Sequence, residues 1–219
     1  MEKLLMIALF CVSICGYGQT YTWEDKALTG VYEVAGKSKS EIFTAINKWI
    51  SINYNSAKTV IQSNDVVTGN IMVKGSNVVS YKNATKLLYP NMKSLPENST
   101  MKFNHLIEIN VNENKYKVIY RIIEIDYEPA VAGYMTPSLS KTIFDCINLN
   151  GVPDAALTAV NDNVESNLKA GSISKEKRES YKATKPMYDE INLNLLNEMK
   201  ETMASINKLV QQQHQMVGN

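Results

Sequence analysis

Between residues 101 and 126, hydrophobic and polar positions alternate in a pattern that predicts one long β-hairpin. Phe103, His105, Ile107, Ile109 and Val111 fall on every second residue, Asn112-Glu113-Asn114 interrupts the run, and Tyr116, Val118, Tyr120 and Ile122 resume it. Successive strand side chains point to opposite faces, so each set lines one side of a sheet. Asn tolerates the left-handed backbone that hairpin turns need. Pairing Ile107 with Val118 sets Glu108 against Lys117 on the other side. The aromatic, histidine-bearing side is expected to meet helices. Leu106, Ile119, Ile123 and Ile125 are expected on the opposite side, as an apolar patch to be covered by the downstream connection or by an interface.

Elsewhere the period changes. Residues 30–34 read as a first strand, after a lead at 21–29 expected to be loose apart from Trp23. Ser38-Lys39-Ser40-Glu41 is a capping box, in which the serine hydroxyl and the glutamate carboxylate satisfy orphan N–H groups of a helix start. Ile42, Ala45, Ile46 and Trp49, widened by Phe43 and Ile50, then recur at helical spacing as far as Asn53. Strands are predicted at 59–62, 66–74 and 78–81, with turns at Asn64-Asp65 and Gly75-Ser76-Asn77. Residues 82–100 contain Pro90 and Pro96 and read as a loop, with Leu87, Leu88 and Tyr89 tucked onto the body. Pro129, Gly133, Pro137 and Pro153 punctuate a long connection over 127–185, with a short helix from Pro153 to Gly171. From Pro186 a last helix carries Met187, Ile191, Leu195, Met199, Met203, Ile206 and Val210 as one stripe, expected to dock across the sheet.

That order, a strand, a helix and four or five antiparallel strands, comes with specific markers. They are Tyr32-Glu33-Val34, the helix at 38–49, Val60-Ile61-Gln62, the turn from Asp65 to Gly69, and Lys74-Gly75. Together they resemble the exported "domain of unknown function with TBP-like fold" family of Gram-negative envelope proteins. The resemblance implies an α+β domain of β-α-β(4)-α order, the helix-grip arrangement shared with Bet v 1-like proteins. It covers 28–126 plus the last helix at 186–210. It implies no activity and no site residues. The stretch 82–99 is longer than the family's usual connection, which leaves the strand count open.

Composition adds a destination. Lys3, an apolar run over 4–14 and Gly16-Tyr17-Gly18 have the order of a signal peptide, here 1–18. The run is shorter than the ~20 residues that cross a bilayer, so no transmembrane segment is expected after processing. Cys11 and Cys15 follow Phe10 and Ile14, where lipid anchoring requires a small residue; this favours a soluble exported protein, periplasmic or at the cell surface, over a lipoprotein. The 23 Lys+Arg against 22 Asp+Glu argue against a nucleic-acid partner. Of the three cysteines only Cys146 survives processing, and a buried, inert thiol is the simpler reading.

Chemistry has few candidates. His214 lies in a glutamine-rich tail, so His105 is the one histidine placed for a site, and Cys146–His105 the one thiol dyad. No nucleophile elbow, phosphate loop or zinc helix is present. Glu108, Glu124 and Asp126 are scattered carboxylates, so no metal and no cofactor are expected. His105, Tyr116, Tyr120, Trp49 and Met199 are the candidate walls of a cavity for a small apolar ligand; the same residues fill the space if the helices close on the sheet. The expectation is a non-enzymatic ligand- or protein-binding module of the envelope, with an envelope protein or a second copy as partner. The alternative is a thiol- or histidine-dependent hydrolase using Cys146 and His105.

Overall fold

The computed structural model describes residues 21–24, 26–83, 86, 91–127 and 184–212. Six antiparallel strands form one open sheet in the order β1-β2-β6-β5-β4-β3. They are β1 (Tyr21–Glu24), β2 (Ala27–Glu33), β3 (Ile61–Asp65), β4 (Asn70–Lys82), β5 (Asn98–Asn112) and β6 (Lys115–Tyr127). The helices among the described residues are α1 (Lys39–Asn53), the single turn α2 (Ala57–Val60) and α3 (Thr184–Gln212). The β-α-β(4)-α order holds from β2 onward, with β1 as an added edge strand. The lead at 21–29 is therefore not loose. It folds into a hairpin through Lys26, whose φ is 60°, and Tyr21 and Trp23 pack against the core.

The capping box forms as the sequence predicts. The Ser38 N–H donates to Glu41 Oε2 at 2.8 Å, and the Glu41 N–H donates to Ser38 Oγ at 3.3 Å. Helix α1 then buries Ile42, Phe43, Ala45, Ile46, Trp49 and Ile50. Helix α3 buries Tyr188, Ile191, Leu195, Leu196, Met199, Met203, Ile206 and Val210. It crosses the sheet obliquely, as its polar contacts trace. Asn194 Nδ2 donates to the Ser80 carbonyl of β4 at 2.7 Å, and Tyr116 of β6 donates to Asn207 Oδ1 at 3.0 Å. At the far end the buried Lys37 ammonium donates to the Val210 carbonyl and caps the helix. Met203 presses on β2 at Gly30, where a Cβ would lie 2.8 Å from its Cε.

The hairpin differs from its expected register by two residues. The connection is only Glu113-Asn114, with Asn114 at φ 60°, so Asn112 stays in the strand, paired with Lys115. Ile107 faces Tyr120, Ile109 faces Val118, Glu108 faces Ile119, and Lys117 faces Asn110. A shift of two preserves the faces, and Phe103, His105, Ile107, Ile109, Val111, Tyr116, Val118, Tyr120 and Ile122 are all buried. An irregularity then breaks the ladder: His105 pairs with Ile122 but Asn104 pairs with Glu124, leaving Ile123 as an extra residue. Beyond it the parity of β6 reverses. Ile125, expected to point away from the helices, is 7% exposed and part of the core.

Three further expectations change. The turn after β3 falls at 66–69, so Val66 and Val67 are exposed in it and do not begin a strand. Asp65 drives that turn, its carboxylate accepting from the Val67 N–H and the Thr68 hydroxyl, each at 2.8 Å. Thr59 and Val60 close a helical turn over 57–60, so the strand expected at 59–62 begins at Ile61. Gly75-Ser76-Asn77 is no turn either; β4 runs through it, each residue paired with β5. Leu87, Leu88 and Tyr89, Cys146, His214 and the short helix expected at Pro153 lie outside the described residues.

Candidate functional site

Gly75 pairs with His105 across β4 and β5 on the helix-facing side of the sheet. A Cβ at Gly75 would lie 2.7 Å from His105 Nε2 and 2.8 Å from Tyr54 Cε1. The missing side chain thus makes room for the imidazole and for the tyrosine that follows α1. Tyr54 Oη lies 3.2 Å from His105 Nε2, and the Tyr120 ring stands 4.7 Å from the imidazole, centroid to centroid. His105 is 1% exposed, and burial lowers its pKa from 6.5 to about 4, so the ring is neutral. Its Nδ1 is buried and has no hydrogen-bond partner among the described residues, whichever tautomer forms.

In front of this layer a groove of about 400 Å³ opens where α1 ends, β4 passes and α3 crosses. Helix α1 and its exit supply Trp49, Asn53, Tyr54 and Asn55; β4 supplies Ser76 and Asn77; α3 supplies Glu198, Thr202 and Ser205. The parts brace one another. The Trp49 indole N–H donates to Ser205 Oγ at 2.8 Å, and the Ser205 hydroxyl donates to the Thr202 carbonyl at 2.7 Å. Asn77 Nδ2 donates to Glu198 Oε1 at 2.7 Å and reaches Tyr120 Oη at 3.5 Å. The Trp49 and Tyr54 rings meet edge to face at 5.9 Å. Burial, together with the Glu201 charge, raises the Glu198 pKa, against the opposing effect of the Asn77 bond. Desolvation pushes the Tyr54 phenol up to about 12.

Of the five candidate wall residues, only Trp49 lines this groove. His105 and Tyr120 stand one layer behind it, joined to it through Tyr54 and Asn77. Tyr116 and Met199 are 1% and 0% exposed and fill the space between the helices and the sheet; the Tyr116 ring stacks on Tyr32 at 4.9 Å. The lining is polar, where the sequence suggested apolar walls. Glu198, Thr202 and Ser205 escaped notice because they flank the apolar stripe of α3. Asn77 was legible in principle, as a polar residue at an inward position of β4, once the strand is read through Gly75.

The opposite side of the sheet is mixed rather than a continuous apolar patch. Leu106 sits between Arg121 and Lys74, and Ile119 is paired with Glu108 and Thr29. Ile123 is 42% exposed. Glu108 and Glu124 are hydrogen-bonded to Asn110 and Asn104. Among the described residues no group of three His, Cys, Asp or Glu could hold a metal ion, and no helix is long and apolar enough to cross a membrane.

Residues 29–126 match the family model described as "Domain of unknown function (DUF4468) with TBP-like fold". Those residues are similar to that family. The DUF4468 match spans β2 to β6 and therefore includes β4 and the end of α1, but not α3. No curated protein matches the chain. Among solved structures, a TBP-like protein from Parabacteroides distasonis ATCC 8503 is similar at a TM-score of 0.52 and 16% identity, over 87% of this chain and 96% of that one. A DUF4468 family protein from Bacteroides ovatus ATCC 8483 aligns at a TM-score of 0.40 and 13% identity, over 71% and 92%. At such identity the first likeness shows the fold alone.

Proposed function

We propose that this protein is a non-enzymatic binding module of the cell envelope, exported by its first eighteen residues, and that it binds a small polar ligand in the groove beside Trp49. The observation that carries the reading is the groove itself. It gathers amides, hydroxyls and one carboxylate from three separate segments, and each wall is fixed by hydrogen bonds to another wall. Preorganised polar groups of this kind hold a ligand without paying to order themselves.

A histidine-dependent hydrolase fits less well. His105 is enclosed, its Nε2 is engaged by Tyr54, and its Nδ1 points into the protein interior. Neither nitrogen reaches the groove as a general base must.

Native mass spectrometry of the protein recovered from its own cells tests the reading. The expected result is a processed chain carrying a small-molecule adduct, lost when Ser205→Trp fills the groove. An unprocessed chain overturns export, and a bare processed chain overturns the binding role.

A further inference from the structure

The groove has a marked electrical asymmetry. Among the described residues that line it, Glu198 is the only carboxylate, and there is no Lys, Arg or His. The hydrogen bond from Asn77 occupies Oε1, so Oε2 is left for a ligand. The second source of negative potential is independent of any carboxylate. Helix α1 ends at the groove, its last residue Asn53 and its cap Tyr54 both lining it, and its last turn contains no basic residue. A helix of this length presents roughly half a negative charge at its carbonyl end. A Lys or Arg in the last turn would offset that charge.

We propose that the groove takes a small organic cation, a primary ammonium on a hydroxylated body, with the charge held between Glu198 and the carbonyl end of α1. This rests on the reading of the groove as a binding site and names the class of ligand. An ammonium brings three donors and no acceptor; a carboxylate oxygen and helix carbonyls supply acceptors alone. The hydroxyl of Thr202 and the amide of Asn55 both donate and accept, which suits hydroxyl groups on the rest of the ligand. A single carboxylate among neutral groups is a poor cage for a bare divalent ion, which favours several hard oxygen ligands including carboxylates. Trp49 is only 4% exposed, so its edge closes the groove and its face is no stacking platform.

Nitrogen-15 NMR of the full chain, with glucosamine and N-acetylglucosamine as probes, separates the possibilities. Glucosamine carries the ammonium, and its acetylated form is the same body without charge. The expected result is that glucosamine shifts the Trp49 indole and Asn77 amide signals with at least ten-fold tighter binding than N-acetylglucosamine. Glu198→Gln, which keeps an oxygen for the Asn77 bond, should abolish that difference while leaving the remaining spectrum unchanged. Equal binding of the two sugars, indifferent to Glu198, sinks the ammonium and leaves the groove standing as a site for neutral ligands. Shifts from neither sugar sink the groove reading with it.

Discussion

At the scale of single residues, the closest tolerances surround His105. Gly75→Ala places a methyl 2.7 Å from a nitrogen of the buried imidazole and 2.8 Å from the partly buried Tyr54 ring, both parts of rigid rings. Overpacking of this kind costs about 1–3 kcal/mol, and urea unfolding of the variant should read a loss in that range. His105 itself makes stability depend on pH. In the unfolded chain it takes up a proton near its ordinary 6.5, but in the fold burial delays this to about 4. Between those values the unfolded state binds more protons, so the contribution is whole above pH 6.5 and declines as the pH falls towards 4. At roughly 1.4 kcal/mol per pH unit, the decline reaches about 3 kcal/mol. Unfolding curves of wild type and His105→Gln, taken from pH 4 to 8, should converge at the acid end; parallel profiles would rule the imidazole out as the cause. The glycine also shows a limit of sequence reading. A Gly-Ser-Asn run has one appearance whether it turns the chain or makes room for a neighbour, and only the partner strand distinguishes them.

At the scale of elements, what the sequence disclosed follows from locality. The capping box, the stripe of α1 and the stripe of α3 are written in neighbouring residues, and each formed where its pattern lay. The hairpin faces were legible for the same reason, since a period of two survives a shift of two. The extra residue at Ile123 was not, because nothing in Ile122-Ile123-Glu124-Ile125 marks which isoleucine drops out of register. Strand β1 was missed because Tyr21 and Trp23 alternate over only four residues. The groove was hidden for a different reason: its α3 wall lies more than a hundred residues along the chain from the other two. One element carries a prediction of its own. The Lys37 ammonium, 5% exposed, caps the last turn of α3 at the Val210 carbonyl. Lys37→Met keeps the apolar stem and removes the donor, so a loss of about 1–2 kcal/mol is expected. Hydrogen exchange should show it as faster opening of the last turn of α3, while the first turns are unchanged.

At the scale of the molecule, the region matching DUF4468 is not the whole folding unit. Helix α3 lies outside residues 29–126, yet it contributes eight buried apolar residues to the core. Each such side chain is worth roughly 1.5–3 kcal/mol when buried, and together their contribution, about 12–24 kcal/mol, matches or exceeds the ~5–15 kcal/mol that holds a domain folded. A chain ending before Thr184 should therefore lose its cooperative thermal transition and bind a hydrophobic dye. A sharp melt in the truncated chain would show that the sheet and α1 suffice by themselves.

The tip of the central ribbon has a bearing on how the chain assembles. Asn114 accepts from the Val34 N–H through its carbonyl and from the Gly36 N–H through its side chain, while its own N–H donates to the Lys37 carbonyl. One residue thus clasps the corner that leads from β2 into α1, almost eighty positions earlier. That corner gains its fastenings only after nearly nine-tenths of the matched region has been made and brought back to it. Closures over such separations slow folding, so the corner fastens late, and Asn114→Gly should accelerate unfolding more than it retards refolding.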